Sequence, residues 1–336
     1  MSVQPIHNLD SQTFYEKVIR TSLLTTLGVI VSACNSIGPS TPITQTQPVT
    51  KAPTVALVLG GGGAKGFAHV GVIKVLEESG ITPTLVVGTS VGSLVGSLYA
   101  SGYTPMQLEQ VALSTPDSEL TDFVLSNQGF IEGIKLKNFI NAKVGGRTIE
   151  DFPIRFAAIA AEKHTLKKAV FTSGDAGLAV QASCSVPNIF IAPRIPEKVG
   201  KKYIDGGVVS LVPVDSARDL GADIVIAVDV TMPTFSKNNL TSNLLPAITS
   251  LSSFWALLEN NLASNVAYSS TSRHLSVRNE RERADIVITP NVGHISSLDT
   301  SQRSALITAG AQATSLQVNV IKQLIKEKSS SKHATL

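Results

Sequence analysis

The chain has 336 residues, 43% hydrophobic and 16% charged, with a net charge of +3. That length and apolar content can bury a full core, while so small a charge, with no basic run interleaved with aromatics, argues against a nucleic-acid partner. Two cysteines, Cys34 and Cys184, and no C-x-x-C or H-E-x-x-H spacing leave no disulfide framework and no metal site, and no cofactor is expected.

In chain order, Thr21–Ala33 is an apolar run of 13 residues preceded by Lys17 and Arg20. A membrane-spanning helix needs about 20, so this length suits a signal-peptide core, giving a leader over 1–33. The run ends Val31-Ser32-Ala33-Cys34, which resembles a bacterial lipobox. The resemblance implies that Cys34 is acylated, anchoring the chain to the cell membrane or outer membrane. Asn35, in place of an aspartate after the cysteine, hints at the outer membrane. Residues 34–53, rich in Ser, Thr, Pro and Gln, read as a flexible tether. Asp10 and Glu16 are atypical of a leader, so the alternative is a cytoplasmic enzyme with an N-terminal extension.

The main domain is expected over 54–327, with a polar tail at 328–336. A strand at 54–59 runs into Gly60-Gly61-Gly62-Gly63-Ala64-Lys65-Gly66 and a helix at 66–79. Glycines between a strand and a helix bare backbone N–H groups beside the positive helix end. Lys65 is followed by Gly66, so a nucleotide P-loop fails; residues 82–87 hold no acid, which argues against a dinucleotide fingerprint. A plain packing turn and an oxyanion hole formed by Gly61, Gly62 and Gly63 remain.

The strand at 84–87 then leads into Gly88-Thr89-Ser90-Val91-Gly92 and a helix at 91–101. This is G-x-S-x-G between a strand and a helix, which lifts the Ser90 hydroxyl above the sheet; a Cβ at Gly88 or Gly92 would crowd the turn. A helical region over 105–141, broken at Asn127-Gln128-Gly129, precedes a strand pair at 154–161 and 168–171. A helix spans 175–184, with Cys184 a small apolar filler at its end. The strand 202–204 is followed by Asp205-Gly206-Gly207. Taken alone, this is an ordinary Asp-Gly turn; at the end of a sheet strand it is also where α/β sheets place ligands. A helix at 213–220, strands at 224–228 and 286–289 and a closing helix at 299–326 complete a three-layer α/β/α fold with a mostly parallel sheet.

Taken together, GGGGAKG, GTSVG and DGG, in that order, resemble the patatin-like phospholipase family, from about Val55 to Val230. The resemblance implies a Ser–Asp dyad, with Ser90 as nucleophile, Asp205 as base and Gly61–Gly63 supplying the oxyanion hole. Gly66, Gly88, Gly92, Gly206 and Gly207 are the supporting motif glycines. It implies a lipid acyl ester as substrate. A Ser–His–Asp triad would need a late histidine, and His294 is the candidate for that alternative. His69 is expected to pack or cap locally, and His164 to lie in a turn. The stretch Ala182–Phe190 departs from the family pattern at Ser183, Cys184, Ser185 and Asn188, and Ser210-Leu211-Val212-Pro213 departs after the DGG. These differences bear on pocket shape.

Residues 243–268 carry Leu244, Ile248, Phe254, Trp255 and Leu262 at helix-like spacing. They read either as a lid meeting lipid or as a helix packed on the core. The functional reading is a serine acyl-ester hydrolase acting on lipid. The alternatives are a non-catalytic lipid-binding or scaffold lipoprotein on the same fold and a nucleotide-binding domain.

Overall fold

The computed structural model describes residues 52–231 and 280–334. The leader, most of the tether, Cys34, the 243–268 segment and His274 lie outside the described residues. Those described belong to one compact unit, Thr50–Leu336. Among them no helix is long and apolar enough to cross a membrane.

Eight strands form one sheet: β1 (Val55–Leu59), β2 (Leu85–Thr89), β3 (Arg155–Glu162), β4 (Lys168–Phe171), β5 (Arg194–Ile195), β6 (Lys201–Asp205), β7 (Ile224–Val228) and β8 (Ile286–Ile288). Its order is β5-β6-β3-β2-β1-β7-β8, with β4 also paired to β3. The run β3-β2-β1-β7-β8 is parallel. β1 shows why a continuous apolar run suits such a strand. Val55, Leu57 and Leu59 face one core, while Ala56 and Val58 face the other, as strand alternation requires when both faces are buried.

The first core lies under α1 (Phe67–Glu78), α2 (Val91–Ala100), α3 (Pro105–Ser114), α4 (Ile134–Lys143) and α5 (Ala176–Ser183), with α7 (Arg303–Ser315) and α8 (Val318–Ala334) behind them. The second is covered by α6 (Val214–Asp219) and the turn at 280–284. Thr104 starts α3 with a capping box: its side chain accepts from Gln107 N while the Gln107 side chain accepts from Thr104 N.

Two expectations need correction, and one strand has a direction that the sequence did not assign. The region 105–141 is two helices, not one broken at 127–129. After α3, Pro116 begins a short turn, and residues 123–131 form a hairpin joined at Phe123 and Ile131. The closing helix is also two, separated at Leu316-Gln317, and the second continues through the expected polar tail to Ala334. The strand carrying Asp205 is not one of the parallel set. β6 runs antiparallel to β3, with Asp205 opposite Ala160.

That last pairing positions the site. β2 pairs with β3 up to Thr89 opposite Ile159. β4 occupies the other edge of β3 over Ala158–Ala161. β6 must therefore lie on the edge that β2 uses. Strands β2 and β6 approach along that edge from opposite ends, and Ser90 and Asp205 are where they meet.

Candidate active site

Ser90 sits between β2 and α2 with φ 54° and ψ −127°, a conformation that non-glycine residues rarely adopt. Close packing holds it there. A Cβ on Gly92 would lie 2.1 Å from the Leu59 carbonyl oxygen, so only glycine lets the start of α2 rest on the end of β1. The Ser90 N–H donates to Ser183 Oγ at 2.9 Å, and Ser183 Oγ donates to the Ile159 carbonyl at 2.6 Å. Ser183 thus bridges β3 and the turn where the β2–β3 ladder stops.

The Ser90 hydroxyl faces the Asp205 carboxylate and favours its charged form. Asp205 is buried, and its Oδ1 also accepts from Gly207 N at 2.7 Å. Its own N–H donates to Ser185 O at 2.8 Å. Burial pushes the Asp205 carboxyl up from 3.8 to about 6, against the opposing pull of the Ser90 and Gly207 hydrogen bonds. Cys184 does more than fill space. Its sulfur lies 3.9 Å from Ser93 Oγ, and burial, helped by the nearby Asp205 charge, pushes the thiol well above its usual range. A thiol so placed is neutral and unreactive.

The glycine turn passes directly beside the serine: a Cβ on Gly61 would lie 3.3 Å from Ser90 Cβ. Of the three expected oxyanion donors, Gly61 is excluded, because its N–H already donates to the Leu211 carbonyl at 3.0 Å. Among the described residues, the N–H groups of Gly62 and Gly63 have no such partner. Val91 N–H, at the first turn of α2, is likewise left over by the helix ladder. These three amides, next to the positive end of α2, are the groups available to developing negative charge.

Several supporting residues have partners that the sequence did not reveal. His69, fully buried, donates from Nε2 to the Gly60 carbonyl at 2.8 Å. Burial lowers its pKa from 6.5 to about 4, so the ring is neutral at ordinary pH. The Gly60–Gly61 peptide is therefore held at both ends, its carbonyl by His69 and its N–H by Leu211. Thr89 Oγ1 donates to Ser210 O at 2.9 Å, and Ser210 Oγ donates to the buried Glu280 carboxylate at 2.7 Å. The signal for His69 was a lone polar residue in the apolar run of α1; no local signal marks Ser183 or Ser210. Asn188 has φ 65°, a left-handed position that asparagine tolerates. His294 is exposed, and no histidine is among the described partners of Ser90 or Asp205. No three His, Cys, Asp or Glu side chains among the described residues converge to hold a metal.

A strained serine between strand and helix of a mostly parallel α/β sheet, facing a buried aspartate, is a serine elbow. Residues 57–218 match the family model described as patatin-like phospholipase. It is 36% identical over 211 residues to the patatin-like phospholipase domain-containing protein ZK370.4 of Caenorhabditis elegans, covering 61% of this chain and 15% of that one. It is 36% identical over 182 residues to lysophospholipase nte1 of Aspergillus fumigatus, covering 52% of this chain and 12% of that one. An uncharacterized NTE family protein of Mycobacterium tuberculosis is 33% identical over 183 residues, covering 54% of this chain and 50% of that one. The match thus spans half or less of each of these relatives. Among solved structures, VipD from Legionella pneumophila shares the fold with a TM-score of 0.55 at 14% identity, covering 80% of this chain and 67% of that one.

Replacing Ser183 by Ala leaves the Ser90 N–H without its partner. The expected cost is about 1–3 kcal/mol of stability, read from chemical denaturation, with Ser183→Thr costing less than Ser183→Ala.

Proposed function

We propose that the protein hydrolyses lipid acyl esters by a Ser90–Asp205 dyad. The observation that carries this reading is the pairing of β2 and β6 with one edge of β3, which sets the Ser90 hydroxyl against a buried carboxylate, beside a turn with uncommitted amides. The match of residues 57–218 to a phospholipase family model and the lysophospholipase among the relatives support lipid as the substrate class.

In this mechanism Ser90 Oγ attacks the ester carbonyl carbon as its proton passes to Asp205. The carbonyl oxygen becomes an oxyanion held by the Gly62, Gly63 and Val91 N–H groups, each worth about 3–4 kcal/mol in comparable sites. The C–O bond to the alcohol breaks, Asp205 returns the proton to the leaving oxygen, and an acyl-enzyme remains. Water then attacks it, giving its proton to Asp205. The fatty acid leaves, and Ser90 regains its hydrogen. An aspartate at its ordinary pKa would be a feeble base; burial of Asp205 brings it nearer the working range.

An apolar cavity of about 190 Å³ supports an acyl chain as the bound part. It opens between α1, α2 and α3, with Gly63 and Val91 at the end next to the serine and Leu94, Leu108 and Val111 along its walls. A cavity that reaches Gly63 and Val91 and is lined by Leu and Val suits an unbranched hydrocarbon. We further propose, from Val31–Cys34, that acylation of Cys34 tethers the protein to the membrane that supplies its substrate.

Purified protein is expected to release fatty acid from lysophospholipid and to react with a fluorophosphonate probe. Ser90→Ala should abolish both, and wild type that neither labels nor hydrolyses would favour a lipid-binding protein. A second expectation concerns pH. The carboxylate form of Asp205 is the active one, so kcat/KM should rise about tenfold per pH unit up to about pH 6 and level off above it. A flat profile down to pH 5 would place the base elsewhere. Filling the cavity by Val111→Trp should cut activity on long-chain esters at least tenfold relative to butyrate esters, measured as the ratio of kcat/KM values.

A further inference from the structure

We propose that the hairpin 122–131 is the surface through which the protein docks on a lipid bilayer, which rests on the reading of the site as a lipid hydrolase. Residues 123–131 read Phe-Val-Leu-Ser-Asn-Gln-Gly-Phe-Ile and hold no charge. Three large apolar side chains on it face solvent: Phe123 at 61% exposure, Phe130 at 43%, and Leu125 fully exposed at 104%. Three such groups within eight residues form a patch that water disfavours.

The hairpin is a built element. Val124 N donates to Phe130 O at 2.9 Å, and Glu132 N to Asp122 O at 3.0 Å. The Asp122 carboxylate turns inward to accept from Gly133 N and Lys135 N at the start of α4. The apolar side chains are therefore displayed on a stem held in place at its base.

Position argues for lipid as the occupant. On one side the hairpin continues from Leu120, which lines the apolar cavity. On the other, Phe130 N and Ile131 N both donate to Ile189 O. Ile189 lies four residues beyond Ser185, whose carbonyl holds the Asp205 N–H. The exposed patch is thus continuous in backbone with both the cavity rim and the segment that supports the base. Charge fits as well. Lys202 donates to Gln128 Oε1 on the hairpin, and Lys135 lies at its foot; among the described residues neither is in an ion pair. One exposed acid, Glu132, stands at the same foot. Aromatic and leucine side chains inserting at the acyl boundary, with lysines beside them at headgroup depth, are the chemistry of an interfacial anchor.

The test uses the full chain and vesicles of phosphatidylcholine with phosphatidylglycerol. Leu125→Trp is compared with wild type for fluorescence quenching by brominated lipids, which reports insertion whether or not Cys34 carries an anchor. Quenching above the wild-type signal is expected. The double variant Phe123→Asp/Leu125→Asp should hydrolyse vesicle lipid at least tenfold more slowly, yet cleave a soluble short-chain ester at the wild-type rate. The soluble ester also shows that the variant folds. No added quenching, with wild-type vesicle hydrolysis by the double variant, overturns the proposal. So does elution of the wild type as a dimer and of the double variant as a monomer, without quenching, which assigns the patch to a second copy of the chain. Failure to cleave either substrate counts against the hydrolase reading instead, and the quenching result then judges the docking surface by itself.

Discussion

Two strands that share one edge of β3 and run toward each other impose the central constraint on this molecule. β2 ends at Thr89, opposite Ile159, with Ser90 the next residue, and β6 delivers Asp205 opposite Ala160. The hydroxyl and the carboxylate then face each other across the gap between the strand ends. Burying a carboxylate is unfavourable unless it is hydrogen-bonded. The Ser90 hydroxyl and Gly207 N–H satisfy it only in part, and the raised pKa is what remains of the desolvation cost. Strain at Ser90 and burial at Asp205 are thus two sides of one arrangement.

The segment after Asp205 ties the rest to that point. Ser210 O holds Thr89, and Leu211 O holds Gly61. A single stretch of backbone therefore supports both the strand that presents Ser90 and the glycine turn beside it. His69 completes the second attachment from α1. With the Gly60–Gly61 peptide pinned at both ends, the next two peptides have little freedom. Their N–H groups are directed by neighbours that never touch substrate, which is preorganisation in the physical sense.

What the sequence made legible was local. The serine turn, the glycine turn and the acid each carry their chemistry within a few residues, and the apolar runs of β1, β2 and β7 announce strands buried on both faces. What it hid was relational. The direction of β6 depends on pairing with β3, some forty residues upstream. Gly61 resembles its neighbours in sequence, yet its N–H is used by Leu211, 150 residues later. Ser183 looked like a variation in pocket shape because its hydroxyl has meaning only once Ser90 N and Ile159 O are adjacent. The break between α7 and α8 falls at Leu316-Gln317, where no proline or glycine marks a stop.

The meeting of β2 and β6 also separates two roles along the chain. Between Ser90 and Arg155 lie α2, α3, the hairpin and α4, which with α1 and the start of α7 line the cavity and alone carry the exposed apolar tip. The strand pairings that bring Ser90 and Asp205 together belong to the sheet. Insertions or exchanges in the α3–α4 stretch can therefore reshape the cavity wall and the tip while the sheet keeps those two side chains in place. A fold divided in this way can be refitted to new contacts by altering a single contiguous stretch of polypeptide.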